Sequence, residues 1–152
     1  MDDEGALRID GSGFGHALLR AREPNGREVR EAVPVRRIET NRVEVLGSPA
    51  YLMGFAAGDI LSVAANHAFV VVERGPNVCV QVFADPPLGA ETLDRLRVRI
   101  AELDGIVESP EHHRFAVITV PSAAGTRLIG ETMNAWSAGA GRVEWQFGST
   151  FV

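Results

Sequence analysis

From Asn77 onward the apolar residues change period in a definite order, and that order limits the fold more than any other feature. Val78, Val80 and Val82 alternate with Cys79, Gln81 and Phe83, the two-residue period of a strand. Asp85-Pro86-Pro87 ends it, because proline cannot donate to a ladder. Leu93, Leu96, Ile100 and Leu103 then recur at helical spacing, which predicts a helix from Ala90 to Leu103. Glu91 and Arg95 add a pair one turn apart, and Asp104-Gly105 supplies the stop. Ile106–Ser109 and Phe115–Val120 flank a Pro-Glu-His-His loop and predict a hairpin. Pro121 and Ser122 open a second helix with Leu128, Ile129, Thr132, Met133 and Trp136 as its buried side; Gly139 and Gly141 close it. Val143, Trp145 and Phe147 alternate with Glu144 and Gln146 in a last strand. The order is β-α-β-β-α-β in about 70 residues, the ferredoxin-like plan. Its two helices cover one sheet face and leave the other to be covered by the rest of the chain.

The first half supplies that rest. His16–Glu23 and Glu28–Val35 flank Pro24-Asn25-Gly26, a turn sequence, and Pro34 argues for an edge strand or a strand end. Val43–Leu46, Ile60–Ala64 and Ala68–Glu73 are further short strands. Gly58-Asp59 launches the first of the last two, and Asn66-His67 sits where a tight turn joins them. Short strands separated by turns predict a small, bent sheet or half-barrel. The fold class is therefore α+β. Residues 1–15 are read as an N-terminal arm, 16–76 as a small β subdomain and 77–152 as the ferredoxin-like subdomain, with the boundary near Gly75-Pro76-Asn77.

Composition removes several activities. The 152 residues are enough for about two-thirds of the unfolded surface to be buried, so no disulfide or metal staple is needed. All 15 basic residues are arginine, so neither a Schiff-base lysine nor a phosphate-loop lysine exists. A net charge of −5 argues against nucleic-acid binding, which relies on a basic surface. Cys79 is a lone cysteine and cannot form an internal disulfide. The acidic start, Met1-Asp2-Asp3-Glu4, is no secretory signal, and no apolar run has the ~18 residues of a membrane span. A cytoplasmic location with no membrane partner is the expectation.

Three stretches carry a family resemblance. They are Ser48-Pro49-Ala50-Tyr51 with Phe55-Ala56-Ala57-Gly58-Asp59-Ile60-Leu61-Ser62-Val63, then Ala116-Val117-Ile118-Thr119-Val120-Pro121, then Gly141-Arg142-Val143-Glu144-Trp145. Together they resemble the bacterial family described as domain of unknown function 4265, over roughly His16 to Phe147. Ser48 stands where the family tends to have Asn, Gly75-Pro76-Asn77 where it tends to have a Ser-Gly-Asn-type turn, and Arg36-Arg37 near where it carries an apolar or aromatic pair. The resemblance implies an architecture and no assigned activity.

The candidate sites each have a plainer reading. Gly11-Ser12-Gly13-Phe14-Gly15-His16 lacks the third glycine and the βαβ context of a dinucleotide loop. Phe83 and Phe115 stand where an RNA-recognition module stacks bases, but the basic-aromatic signature is missing. His112-His113 point oppositely in extended chain, so no metal site is assigned. Arg95, Arg97 and Arg99 read as a solvated helix face. Asp59, His67 and Glu73 are the acid–base candidates of the first half, and need a cleft to act. Cys79 reads as a small buried hydrophobe. Tyr51, Phe55, Phe83 and Trp145 are the ligand-binding candidates, lining a pocket between the two halves. No cofactor is implied.

Three functional expectations follow, in this order. The first is a non-enzymatic protein-binding or regulatory module, the immunity type being one form, steered by its acidic surface onto a basic partner. The second is a small-ligand sensor using the four aromatic candidates. The third is an enzyme using Asp59, His67 or Glu73. An edge strand at Val143–Phe147 also offers pairing across a two-fold axis, so a homo-oligomer is among the expected partners.

Overall fold

The structure is a computed structural model that describes residues 5–149. It is an α+β fold of two antiparallel sheets and two helices. The first sheet holds β1 (Leu7–Ile9), β2 (Phe14–Arg22), β3 (Glu28–Glu39), β4 (Arg42–Val45), β5 (Ile60–Val63) and β6 (Phe69–Glu73), paired in chain order. The second holds β7 (Asn77–Ala84), β8 (Ile106–Glu108), β9 (Phe115–Pro121) and β10 (Val143–Phe147) in the order β10-β7-β9-β8. Helix α1 (Ala90–Ala101) joins β7 to β8, and α2 (Thr126–Ser137) joins β9 to β10. Among the described residues no helix is long and apolar enough to cross a membrane.

Inward alternation builds the first sheet. Ala17, Leu19, Val33, Val35, Val43, Val45, Leu61 and Val63 are buried on one side, each large aliphatic burial contributing about 1.5–3 kcal/mol. The β5–β6 turn meets β2. Arg20 N–H donates to the His67 carbonyl at 3.0 Å, Arg20 Nε to the Asn66 carbonyl at 2.8 Å, and His67 Nδ1 lies 2.9 Å from the Leu18 carbonyl.

Several sequence expectations change here. Part of the expected N-terminal arm is a strand: Leu7–Ile9 pairs with Gly15–Ala17, and Ala6 is buried beneath it. Residues 1–4 lie outside the described residues. The glycine-rich run makes the β1–β2 turn, where Asp10 accepts the Ser12 N–H at 2.8 Å. Pro34 stands inside a long strand paired on both sides, not at an edge. It faces His16 as a non-hydrogen-bonded pair, because Glu23 N–H to Arg27 O sets the alternation of the β2–β3 ladder. Its missing N–H falls on the β4 side, where pairing ends and only its carbonyl is needed, by Leu46 N–H at 2.9 Å.

The second sheet packs one face on the helices. Val78, Val80, Val82, Ala116, Ile118 and Val120 meet Leu93, Leu96 and Ile100 of α1 and Ile129, Met133 and Trp136 of α2. Leu128, expected in that stripe, is 46% exposed, and Thr132 bonds back to its carbonyl at 2.8 Å. Arg95 bonds Thr92 Oγ1 at 3.3 Å instead of the expected Glu91.

The opposite face of this sheet is covered by the β4–β5 connection, residues 46–59. Ala50 and Ala56 of that segment pack on Cys79 and Val117, while its Leu52 and Phe55 enter the first sheet's core. Gly148 closes the seam: it donates to the Cys79 carbonyl at 2.8 Å and accepts from Gly54 N–H at 2.7 Å. A Cβ there would lie 2.9 Å from Cys79 Sγ and 3.0 Å from Gln81 Cδ. Gly148→Ala is therefore expected to cost about 1–3 kcal/mol by overpacking, read as a lower urea midpoint at unchanged slope. A neutral substitution would show that the seam is loosely packed.

Candidate functional site

The connecting segment is irregular backbone buried between two sheets, so its peptide groups need partners other than a ladder. Side chains from β3, from β7 and from the segment itself supply them. The Glu31 carboxylate of β3 accepts the N–H groups of Ala50, Tyr51 and Leu52 at 2.6, 3.0 and 3.0 Å. Asp59 accepts Ala56 N–H at 2.9 Å and Gly75 N–H at 2.7 Å, with the Arg74 guanidinium at 3.5 Å. Gln81 Nε2 donates to the carbonyls of Pro49 at 3.1 Å and Leu52 at 2.7 Å. Ser48 Oγ lies 2.6 Å from Thr119 Oγ1 and accepts Ala57 N–H at 3.0 Å. Asn77 Nδ2 donates to the Ala57 carbonyl at 2.9 Å.

With both sheets engaged, alternate side chains of the segment turn out. Tyr51 is 51% and Met53 50% exposed. The Tyr51 ring lies 6.1 Å from Phe83 and 5.2 Å from Phe115, and His112 lies 5.3 Å beyond Phe115. Partial burial, and secondarily the Glu31 charge, push the Tyr51 phenol above its ordinary value of 10.0. An open groove of about 920 Å³ runs past this edge. Tyr51, Leu52 and Met53 form one wall, the β2–β3 hairpin end with Ala21, Arg22, Arg27 and Val29 the other, and Phe83 and Gln146 the floor.

The four ligand candidates separate accordingly. Tyr51 and Phe83 share the groove. Phe55 does not reach it: it is fully buried in the first sheet, edge-on to Phe69 at 5.1 Å. Trp145 stands opposite Val82, so it belongs to the helix face, where its Nε1 reaches Asn134 Oδ1 at 3.3 Å. Period-two counting assigns faces within a strand, yet in the 46–59 segment it cannot tell which of two cores an aromatic enters. Sequence patterning does not single out Met53 or Gln146 as groove residues; the polar Gln146 within an alternating strand, on the face of Gln81 and Phe83, is the signal it offers.

The acid–base candidates do not converge. Asp59 is 1% exposed and engaged by backbone N–H groups. His67 sits beyond the far end of β5, four residues or roughly 13 Å of strand away. Glu73 lies level with Ile60 but is exposed. Among the described residues no group of three His, Cys, Asp or Glu is placed to hold a metal.

Two measurements probe this arrangement. Phe55→Ala is expected to cost about 3–5 kcal/mol in unfolding free energy, as for a deleted core aromatic; a change below 1 kcal/mol would return Phe55 to the ligand candidates. Burial pushes the Cys79 thiol from its ordinary 9.0 to about 12. The unfolded thiol ionises first, so this group's stability contribution is complete below pH 9 and falls between pH 9 and 12. Alkylation by iodoacetamide near pH 8 is accordingly expected only after urea unfolding; rapid reaction of the native chain would contradict the buried position.

Comparison with known proteins bears on the fold and on kinship. The structure is similar to the crystal structure of a hypothetical protein from Neisseria gonorrhoeae, with a TM-score of 0.67 and 11% sequence identity. The likeness covers 89% of this chain and 94% of that one. No curated protein sequence matches the chain. The family profile described as a domain of unknown function matches residues 31–145, from the Glu31 carboxylate to Trp145. The buried frame of the connecting segment thus falls inside the match, and the chain belongs to the family described as domain of unknown function 4265 (DUF4265).

Proposed function

We propose that the chain is a non-enzymatic binding and regulatory module of the cytoplasm that engages a partner protein through the seam groove. Its second half is read as ferredoxin-like: four antiparallel strands in the order β10-β7-β9-β8, with a helix after β7 and after β9, support that plan. The first half is read as a strongly bent half-barrel, supported by the bonds from β2 to the β5–β6 turn. The observation that carries the function is the pair Tyr51 and Met53. Both are half-exposed on a segment whose backbone is otherwise held at closely spaced points. Exposed apolar side chains on a rigid support are the usual anchors of a protein contact. A non-enzymatic role is supported by what Glu31, Asp59 and Cys79 do: two carboxylates bind backbone and the thiol is buried. The net charge of −5 favours a partner with a basic surface, and neutralising such a partner is the immunity-type form of the proposal.

A second reading has its own support. The groove volume of about 920 Å³ lies within the ~300–1,000 Å³ of small-molecule sites, which also form at the mouths of bent sheets. Panning the immobilised chain against a linear heptapeptide display library separates the readings. Selected peptides are expected to bind the native chain and to weaken at least about tenfold, ~1.4 kcal/mol, on the double variant Tyr51→Ala/Met53→Ala. That variant should keep its unfolding midpoint, since both side chains are half in solvent. Peptides that bind the variant equally, or no enrichment at all, would sink the proposal. A fragment screen by thermal shift then tests the sensor reading.

A further inference from the structure

The groove floor contains an amide whose orientation is set from inside the protein. Gln81 is fully buried, and its Nε2 donates to two carbonyls, those of Pro49 and Leu52. Carbonyls only accept, so the nitrogen of Gln81 must face them and its Oε1 must face β10. There Oε1 accepts from Gln146 Nε2 at 2.9 Å. An oxygen cannot donate, so Gln146 must turn its nitrogen inward. That same nitrogen approaches Met53 Sδ at 3.9 Å. Gln146 Oε1 is the other end of this groove-lining side chain, and no described residue donates to it. Two buried carbonyls therefore fix, through two side chains, which end of an exposed glutamine meets an incoming molecule.

Resting on the proposed protein-binding role, we infer that the groove takes an extended polypeptide segment whose backbone N–H donates to Gln146 Oε1. An apolar side chain of the segment lies between Tyr51, Met53 and Phe83. Arg22 and Arg27 on the opposite wall donate to its carbonyls, beside Glu23, whose carboxylate lies 4.0 Å from the Arg27 guanidinium. One wall offers two guanidiniums beside one carboxylate, the floor offers an amide acceptor, and Tyr51, Met53 and Phe83 between them are apolar. That set complements a peptide unit with a bulky side chain. An apolar small molecule without an N–H would leave the oriented oxygen unpaired, at a cost its contacts must offset.

The test uses the tightest heptapeptide selected on the native chain, resynthesised as a series in which each backbone amide is replaced in turn by an ester. The ester removes one N–H and keeps the shape. One position is expected to lose about tenfold in affinity. Against Gln146→Met the parent peptide is expected to weaken, and the ester penalty at that position is expected to vanish. Because the penalty is a ratio within one protein variant, a modest loss of fold stability in Gln146→Met leaves it readable. No amide with a penalty that depends on Gln146 overturns the inference while leaving the groove as binding surface. Binding that ignores Tyr51→Ala/Met53→Ala overturns the groove reading itself. Fragments that raise the unfolding midpoint where no peptide binds favour the sensor.

Discussion

Irregular backbone cannot be buried unless its N–H and C=O groups find partners, and residues 46–59 meet that demand largely with side chains, two of their own and three from β3 and β7. An unsatisfied buried peptide group costs roughly 1–3 kcal/mol, so a handful of them would consume the stability of a small domain. Glu31, Asp59, Gln81, Asn77 and Ser48 between them engage nine backbone groups, eight in the segment and the N–H of its neighbour Gly75. Among the described residues no buried side-chain nitrogen or oxygen is left without a partner. Asp59 and Gln81 are buried, and Glu31, Ser48 and Asn77 half-buried, because the segment they hold covers one face of each sheet.

The same segment joins two cores that would otherwise be separate. Leu52 and Phe55 complete the packing of the first sheet's core, while Ala50 and Ala56 pack on Cys79 and Val117. Small residues face the second sheet and large ones enter the core of the first. This division lets fourteen residues serve both. It also dictates where apolar surface is left over. With Ala50, Leu52 and Phe55 turned inward, Tyr51 and Met53 have only the outside.

How much of this is legible without coordinates differs by segment. The second half follows largely from periodicity, because alternation marks its strands, a 3–4 spacing marks its helices and turn residues stop each; Asn77–Ala84 and Ala90–Ala101 match the expected elements to within a few residues. The first half is harder. Pro34 reads as a strand end until the phase of the ladder is known, since proline is tolerated wherever its nitrogen faces no partner. Glu31 reads as an ordinary surface residue of an alternating strand. Its role depends on three N–H groups about twenty residues away in the chain, and no local pattern carries that information. The same is true of Asp59: Gly58-Asp59 reads correctly as a turn, with Gly58 at φ +97°, yet the carboxylate's reach to Gly75 is a tertiary fact. Of the aromatic candidates, those that converge are one on a strand of known face and one on the buried connection.

Exposed side chains are usually held loosely, and ordering them on contact costs about 0.5–1.5 kcal/mol each. Here much of that ordering precedes any contact. Tyr51 is fixed at its backbone by Glu31 and at its ring by Phe83 and Phe115. Gln146 is fixed at its amide by Gln81, itself pinned by two carbonyls. Arg22 is steadied by the Gly26 carbonyl at 3.2 Å within its own hairpin. An apolar anchor, an oriented acceptor and a restrained donor therefore stand around one opening before anything enters it. The interactions that make the buried segment tolerable are the ones that stiffen the groove, so the stability of the fold and the readiness of the site have a common origin.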